Sequence, residues 1–543
     1  MKKTLLMLVA FMATMTAFAQ EEPEGWEKSF APVTSEDKLA GVHTAVISDG
    51  SVYASSTIDQ QLQFGSSTIE PEGGLQSSCI VKYDNEGKEL WAVLLYGSST
   101  VTAMTTDADG NVYVTGTFMD IALDLIGTDG DENKKTVEGN AAAYSAFVAK
   151  IDADGKAIAL KAFTSEPNEW VASLMIPDPW DWESLNPPLV PAYSPYDPIE
   201  VTPQCIKVDG EKVYVGVMYS GNITELGWDG RYWIDDFSGS YYDALSAGVF
   251  SLNKNDLTSP TSLCNIGNTK KGNSEESITY DIYEPDDINF VVKDGNVFFG
   301  FFGHGDLTLT TATESMPFSF DKAPSYGVDD ERALVLSNLA DVQNKTLQFR
   351  APSLVSLFYS ARFRLADAEL IGNNVYLAGT FAGQFALDNT KYSVFTGSGE
   401  VTKYRSSSFV AAINLSDVSA KWTWVDEAES VTNCMIVTGE EIKASTDAAT
   451  YTIKTATGEV KTDMTMNKSF ADADVYNDEY VSTVTTDGAS VVVFSPKMSP
   501  SGIEAIKAAA ANSEAKIYNL NGQRVAKPQK GLYIINGTKV AIK

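Results

Sequence analysis

Asp107-Ala108-Asp109-Gly110-Asn111-Val112-Tyr113-Val114 is a turn that runs straight into an alternating apolar strand, and the same unit recurs along the chain. Asp49-Gly50 precedes Val52-Tyr53-Ala54, Asp209-Gly210 precedes Val213-Tyr214-Val215, and Asp294-Gly295 precedes Val297-Phe298-Phe299. Weaker copies stand at Gly372 before Val375-Tyr376-Leu377, at Gly439 before Ile442, and at Asp487-Gly488 before Val491-Val492-Val493. Asp-Gly between alternating runs is the strongest short-range hairpin signal, because glycine supplies the positive φ that a tight β-turn demands. Hairpins that cannot bury a face alone must stack, so this repetition predicts an all-β array of the propeller kind.

The segments around each turn repeat as well. In the second unit Val101 to Thr106 precedes the turn and Asn111 to Phe118 follows it; Ala146 to Ile151, a second tight turn at Asp154-Gly155, and Ala157 to Phe163 complete it. The first unit ends alike, with Ile80-Val81-Lys82-Tyr83, a turn at Glu86-Gly87, and Leu90 to Tyr96. Four antiparallel strands, A to D, make one blade. The expectation is a seven-bladed propeller over residues 20–498, with six blades plus a terminal hairpin as the alternative. The last unit lacks its outer strands, and Trp26 to Phe30 is placed to supply one of them and close the ring, hiding sheet edges that would otherwise pair with other chains.

The blade pattern Asp107 to Val114, followed by Phe147-Val148-Ala149-Lys150-Ile151-Asp152-Ala153-Asp154-Gly155, resembles the bacterial secreted β-propeller repeats and their relatives with the NHL pattern. The resemblance spans roughly residues 40 to 500. It implies that the strand before each first turn lines a central channel, and it speaks to fold far more than to activity.

Residues 1–19 read as a secretory signal peptide: Lys2-Lys3, an apolar run from Leu5 to Ala13, and the small-residue site Ala17-Phe18-Ala19. That apolar core is too short to span a bilayer, and no other run approaches the ~18 apolar residues a transmembrane helix needs. No Cys follows the cleavage site, which argues against a lipoprotein, so the expected destination is secreted or cell surface. The formal charge is −32; losing Lys2 and Lys3 makes it −34, and residues 501–543 carry +5, which leaves −39 on residues 20–500. Such a body repels phosphate backbones and anionic lipid, so nucleic acid is excluded as a partner class. Cys205 and Cys264 are expected on the innermost and outermost strands of one blade, about 14 Å apart at three strand spacings, too far for a disulfide. All four cysteines, with Cys79 and Cys434, read as small buried apolar residues.

A linker at 499–514 leads to a second module at 515–543. Ile517-Tyr518-Asn519-Leu520-Asn521-Gly522-Gln523, then Lys530-Gly531-Leu532-Tyr533-Ile534, then a terminal Lys543, read as a small antiparallel sheet. The pattern resembles the C-terminal sorting domain of the type IX secretion system. The resemblance implies outer-membrane secretion machinery as a partner, followed by cleavage or surface anchoring.

Connection lengths point to a binding face. The A–B and C–D turns share one face of the disc and are tight. The B–C and D–A connections share the other and are long: 59–77, 119–144, 164–202, 220–244, 266–286, 303–330 and 382–406. Loops beyond about 12–15 residues are usually functional or disordered, and here they all fall on one face, so this face, over the channel mouth, is the expected binding site. The longest connection holds Trp170, Pro177-Asp178-Pro179-Trp180-Asp181-Trp182-Glu183, Tyr193 and Tyr196; its neighbour holds Trp228, Tyr232, Trp233, Asp235, Asp236, Tyr241 and Tyr242. Indole and phenol faces stack on sugar rings and carboxylates accept hydroxyl hydrogen bonds, which suits a glycan, although a long Pro-rich loop also needs an aromatic core of its own. The expected ligand-binding residues are Trp180, Trp182, Glu183, Trp233, Asp235, Asp236 and His304.

Nothing assigns catalysis, a metal or a cofactor. The Asp107 and Asp152 frames open like calcium loops but place Phe118 and Phe163 where an EF-hand needs Glu, so hairpin turns are the reading. The two histidines, His43 and His304, stand near strand ends, and there is no Gly-x-Ser-x-Gly elbow. The expectation is therefore a glycan- or protein-binding module. A carbohydrate-active hydrolase or lyase using pairs such as Asp178 with Glu183 or Asp235 with Asp236 is the alternative, and a structural surface protein is the third.

Overall fold

The computed structural model describes residues 26–30, most of 40–166, short stretches of 173–191, 200–234, 241–269, 285–320, 331–352, most of 363–461, 470–496 with two breaks, and tail strands at 517–519, 531–535 and 538–542. The expected signal peptide and linker lie outside these residues. Nearly all regular structure is strand. Among the described residues no helix is long and apolar enough to cross a membrane.

The chain is a propeller-type repeat of antiparallel sheets. Sheet one orders His43–Val46, Val52–Ile58, Ser77–Tyr83 and Glu89–Tyr96. Sheet two follows with Ser99–Thr106, Val112–Phe118, Ser145–Ile151 and Ala157–Phe163; sheet three with Val201–Asp209, Lys212–Tyr219, Ser246–Asn253 and Thr261–Asn268. Sheet four holds Pro285–Lys293, Asn296–His304, Glu331–Asn338 and Thr346–Pro352, and sheet five is built on Arg364–Ile371, Asn374–Leu387, Ser406–Asn414 and Ser419–Val425. Sheet six has three strands, Thr432–Val437, Glu441–Thr446 and Thr450–Lys454, with a single bridge from Ile453 to Val460 beginning a fourth. Sheet seven takes Asp472–Tyr476, Tyr480–Thr486 and Ser490–Pro496 from the end of the body and Trp26–Phe30 from its start, paired Trp26 to Phe494 through Phe30 to Ser490.

Three of the turns follow from one local device. Asp107 Oδ1 accepts hydrogen bonds from the amides of Asp109 (3.0 Å) and Asn111 (2.9 Å); Asp84 and Asp152 do the same two and four residues on. The glycine three positions later takes the left-handed conformation, φ 79° at Gly110, so each turn is a type I turn closed by a left-handed residue. The Asp107 carboxylate, also bonded by Asn111 Nδ2 and the Tyr113 hydroxyl, is thus committed to its turn.

Apolar slabs lie between successive sheets. Phe302, Leu334, Leu365 and Phe409 join sheets four and five; Phe290, Phe299, Val249 and Ile266 join three and four. Phe30, Val46, Val52 and Tyr83 form the same kind of slab between sheets seven and one, with Trp26 packed against it. A tryptophan docking recurs at three seams. Trp91 Nε1, on the fourth strand of sheet one, donates to the Ala153 carbonyl in the C–D turn of sheet two (3.1 Å). Trp422 of sheet five donates to Thr455 of sheet six (2.9 Å), and Trp26 of sheet seven donates to Asn85 of sheet one (3.1 Å).

The first strands of the sheets pack on one another in chain order, and that of sheet seven packs on those of both sheet six and sheet one. Asp487 and Gly488 lie outside the described residues; the strands before and after them, Tyr480–Thr486 and Ser490–Pro496, are the second and third of a sheet whose inner strand is Asp472–Tyr476. All four cysteines are buried free thiols, with Cys205 and Cys264 on opposite edges of the four-strand core of sheet three. The tail strands Ile517–Asn519, Gly531–Ile535 and Thr538–Ile542 form an antiparallel sheet of their own.

Several long connections are not over the channel mouth. In 119–144, Ala122–Ile126 pairs with Glu89–Tyr96 and with Lys135–Glu138, extending sheet one outward to six strands. In 303–330, Asp306–Thr311 pairs with Thr261–Asn268 and with Ser315–Ser319, doing the same for sheet three. In 59–77 the hairpin Leu62–Phe64 with Ser67–Ile69 packs on Glu89–Tyr96, and Ser67 Oγ accepts from the Ala92 amide (3.2 Å). An outer strand carries a row of unpaired backbone groups, and these hairpins cover it.

Candidate functional site

Five of the inner strands share a bulge: the register skips Thr102, Gln204, Asp286, Ala366 and Asn433. A bulge unpairs one residue and re-aims those beside it. On sheets four and five the next residue is an aspartate whose two oxygens serve two strands. Asp287 Oδ1 accepts from its own Ile288 amide (2.9 Å) and Oδ2 from Leu365 on sheet five (2.9 Å). Asp367 Oδ1 accepts from Ala368 (2.8 Å) and Oδ2 from Met435 on sheet six (3.0 Å).

Sheet seven repeats the arrangement twice toward sheet one. Asp472 bonds Ala473 (2.9 Å) and Thr44 (3.1 Å); Asp474 bonds Val475 (2.7 Å) and Val46 (2.8 Å). His43 Nδ1 lies 3.2 Å from Asp472 Oδ2. Lys207 on sheet three and Glu369 on sheet five pair at 2.8 Å.

Asp287, Asp367 and Asp474 are half-buried. Burial pushes Asp287 and Asp367 up to about 7 and Asp474 up to about 6, with the amide bonds pulling the other way. Burial opposes the Lys207 ammonium, but Glu369 and Asp367 outweigh it and hold its pKa above the usual value.

A cavity of about 400 Å³ opens among Lys207, Asp209, Val291, Lys293, Glu369 and Leu370, at the tight-turn ends of the inner strands. That is the face opposite the one expected from connection length. Its charged groups are mutually satisfied: besides the Lys207–Glu369 pair, Lys293 Nζ donates to the Gly372 carbonyl (2.7 Å), and Asp209 Oδ2 accepts from the Gly295 amide (2.7 Å).

Of the residues singled out from sequence, Trp180, Trp182, Glu183, Asp235 and Asp236 lie outside the described residues. Trp233 is on Arg231–Ile234, opposite Tyr242 on Tyr241–Ala244. His304 ends the second strand of sheet four, buried, with Nδ1 3.6 Å from Asp286 Oδ1; it faces a neighbouring strand. Trp228 is core: it stacks on Tyr219 at 5.1 Å and donates to Ser262 Oγ at 2.7 Å. The sequence reading missed the inner-strand aspartates. Their signal is an acid inside a short apolar strand, as in Leu365-Ala366-Asp367-Ala368 and Ala471-Asp472-Ala473-Asp474-Val475.

Among the described residues seven large apolar side chains are exposed; Ile158 and Ile371 lie on core strands of sheets two and five, and the other five on two connections. Met119, Ile121 (72% exposed) and Tyr144 stand where the 119–144 connection leaves and rejoins sheet two; Met175 and Leu189 (62% exposed) stand on the Met175–Pro177 and Leu189–Pro191 hairpin of the next connection. All five belong to the 119–144 and 164–202 connections, and the amide of Val201, opening sheet three, bonds the Tyr144 carbonyl (3.0 Å).

No family model matches the chain, and no curated protein matches it. Among solved structures it is similar to BamB from Moraxella catarrhalis, at 11% identity and TM-score 0.35 over 87% of this chain and 99% of that one. It is also similar to the β-propeller domain of Cps50 (Swd1) from Myceliophteria thermophila, at 9% identity and TM-score 0.35 over 87% and 99%. The Dos1 propeller matches at 10% identity and TM-score 0.33 over 87% and 95%. Scores this low lend no weight to overall shape or activity. The architecture rests on the strand pairings and seams above.

Proposed function

We propose that the chain is an exported seven-bladed propeller that acts as a binding module, holding a protein partner on its long-connection face. The observation that carries the binding face is that five of the seven exposed large apolar side chains among the described residues, Met119, Ile121, Tyr144, Met175 and Leu189, belong to the connections 119–144 and 164–202. Exposed apolar patches mark interaction sites on soluble proteins, and these side chains are the candidates for one. Four of the five are aliphatic or thioether chains, which suit a protein surface better than a sugar ring. The seven-bladed reading is supported by the cycle of inner-strand contacts and by the Trp26 docking that repeats Trp91 and Trp422. The inner-strand charges favour a scaffold over a catalyst, since Asp287, Asp367, Asp472 and Asp474 are each already bonded to two amides.

Ile121→Asp with Leu189→Asp removes the patch at exposed positions. Thermal stability is expected to stay within about 2 °C of the parent, while proximity crosslinking on the producing cells loses the partner captured by the parent protein. An unchanged crosslinking pattern removes the patch from the proposal. A glycan screen in parallel addresses the second reading, which rests on Trp180 and Trp182: a glycan bound by the parent and by the Asp pair, but lost in Trp180→Ala with Trp182→Ala, favours carbohydrate.

Export rests on the N-terminal signal pattern and the basic tail module. Removing residues 501–543 is expected to leave the melting temperature of the body nearly unchanged and to block delivery to the surface. A large fall in melting temperature instead makes the tail part of the body's fold.

A further inference from the structure

We propose that the cavity at the tight-turn ends of sheets three, four and five binds a small zwitterion with an apolar body, either an apolar amino acid or a short peptide with free termini. The site is separate from the protein-binding face proposed above and does not depend on it.

Three inner strands end in a similar way. Lys207-Val208-Asp209-Gly210, Val291-Val292-Lys293-Asp294-Gly295 and Glu369-Leu370-Ile371-Gly372 each mix charged and apolar residues just before a turn glycine. The packing of the three sheets gathers these ends around one cavity of about 400 Å³, a size that suits a small molecule. Val291, Val292 and Leu370 give it apolar wall, while Lys207, Asp209, Lys293 and Glu369 give it charge.

One bond ties each pair of sheets at this cavity. Lys207 Nζ donates to Glu369 Oε1 from sheet three to sheet five (2.8 Å), Asp209 Oδ2 accepts from the Gly295 amide between sheets three and four (2.7 Å), and Lys293 Nζ donates to the Gly372 carbonyl between sheets four and five (2.7 Å). The walls are therefore set before a ligand arrives, and little ordering is left to oppose binding.

Charge decides the ligand class. Lys207 and Glu369 neutralise each other. Among the described residues Lys293 and Asp209 have no partner of opposite charge: the ammonium bonds a carbonyl and the carboxylate an amide. An ammonium has three N–H donors and a carboxylate about four acceptor positions, so both keep capacity beyond the one bond each makes. A simple anion drawn to Lys293 is repelled by Asp209 and Glu369, and a simple cation drawn to Asp209 is repelled by Lys207 and Lys293. A zwitterion satisfies both ends: its carboxylate takes Lys293, its ammonium takes Asp209, and its apolar body covers Val291, Val292 and Leu370, removing that surface from water.

The test is calorimetry or saturation-transfer NMR on the full chain, with leucine and the dipeptide Leu-Leu as probes. At least one is expected to bind with millimolar or tighter affinity, and the tighter of the two distinguishes a free amino acid from a peptide. The C-terminal amide of that probe, its N-acetyl form and its glycine counterpart are each expected to bind about fivefold more weakly or worse. Lys293→Gln is expected to erase the preference over the amide and keep that over the N-acetyl form, and Asp209→Asn to do the reverse. No binding of either probe at about 10 mM, equal affinity for the probe and its two charge-blocked forms, or both preferences retained in both variants overturns the proposal. The analogue series on the parent protein decides it even if a variant fails to fold.

Discussion

Removing residues 20–33 is expected to lower the stability of the body by about 5 kcal/mol and to drive it into aggregates. Trp26–Phe30 is the outer strand of the last sheet, and its loss uncovers the edge of Ser490–Pro496. It also takes Phe30, nearly fully buried, out of the slab shared with sheet one, a deletion that alone costs about 3 kcal/mol. Chemical denaturation with light scattering reads both effects. A truncated protein that stays monomeric with an unchanged unfolding midpoint shows that the strand is dispensable.

The second large effect is expected at Gly87 and Gly155. Both hold a left-handed backbone, at φ 77° and 83°, and a Cβ on either would meet an indole ring, that of Trp26 at 2.6 Å and that of Trp91 at 2.8 Å. Gly87→Ala and Gly155→Ala are each expected to cost about 3 kcal/mol, summing backbone strain and the displaced tryptophan. Gly210→Ala is the comparison: φ is 57° there and nothing lies within 4 Å of the new methyl, so only the backbone part, about 1 kcal/mol, is expected. Equal losses at Gly87 and Gly155 mean that the seam made by the N-terminal strand is as tight as one inside the chain. A loss at Gly155 with none at Gly87 means that the seam is open.

The repeat was legible because its turns are local. An Asp that bonds the amides two and four residues on, with a Gly after it, is written in five consecutive residues, and so is the strand alternation behind it. The inner-strand aspartates were hidden because an Asp between apolar residues has the same local signature whether it faces solvent or an adjacent strand; only the bulges and the stacking of sheets decide that Asp367 meets Met435. Connection length was legible, but its direction was not. Ala122-Leu123-Asp124-Leu125-Ile126 alternates like any edge strand, and its partner, Glu89–Tyr96, lies in the preceding sheet. The aromatic loop sites at Trp180, Trp182, Glu183, Asp235 and Asp236 lie outside the described residues, whereas Trp228 of the same group serves the core.

The account stands on the last sheet meeting the first as the others meet one another. Residue-resolved hydrogen exchange tests this at the four amides that donate to aspartates of a neighbouring sheet: Thr44 and Val46 at the seam between sheets seven and one, Leu365 and Met435 at internal seams. All four amides, together with those of residues 26–30 that pair with 490–494, are expected to exchange only on global unfolding. Fast exchange at Thr44, Val46 and residues 26–30, with Leu365 and Met435 still protected, contradicts a closed ring.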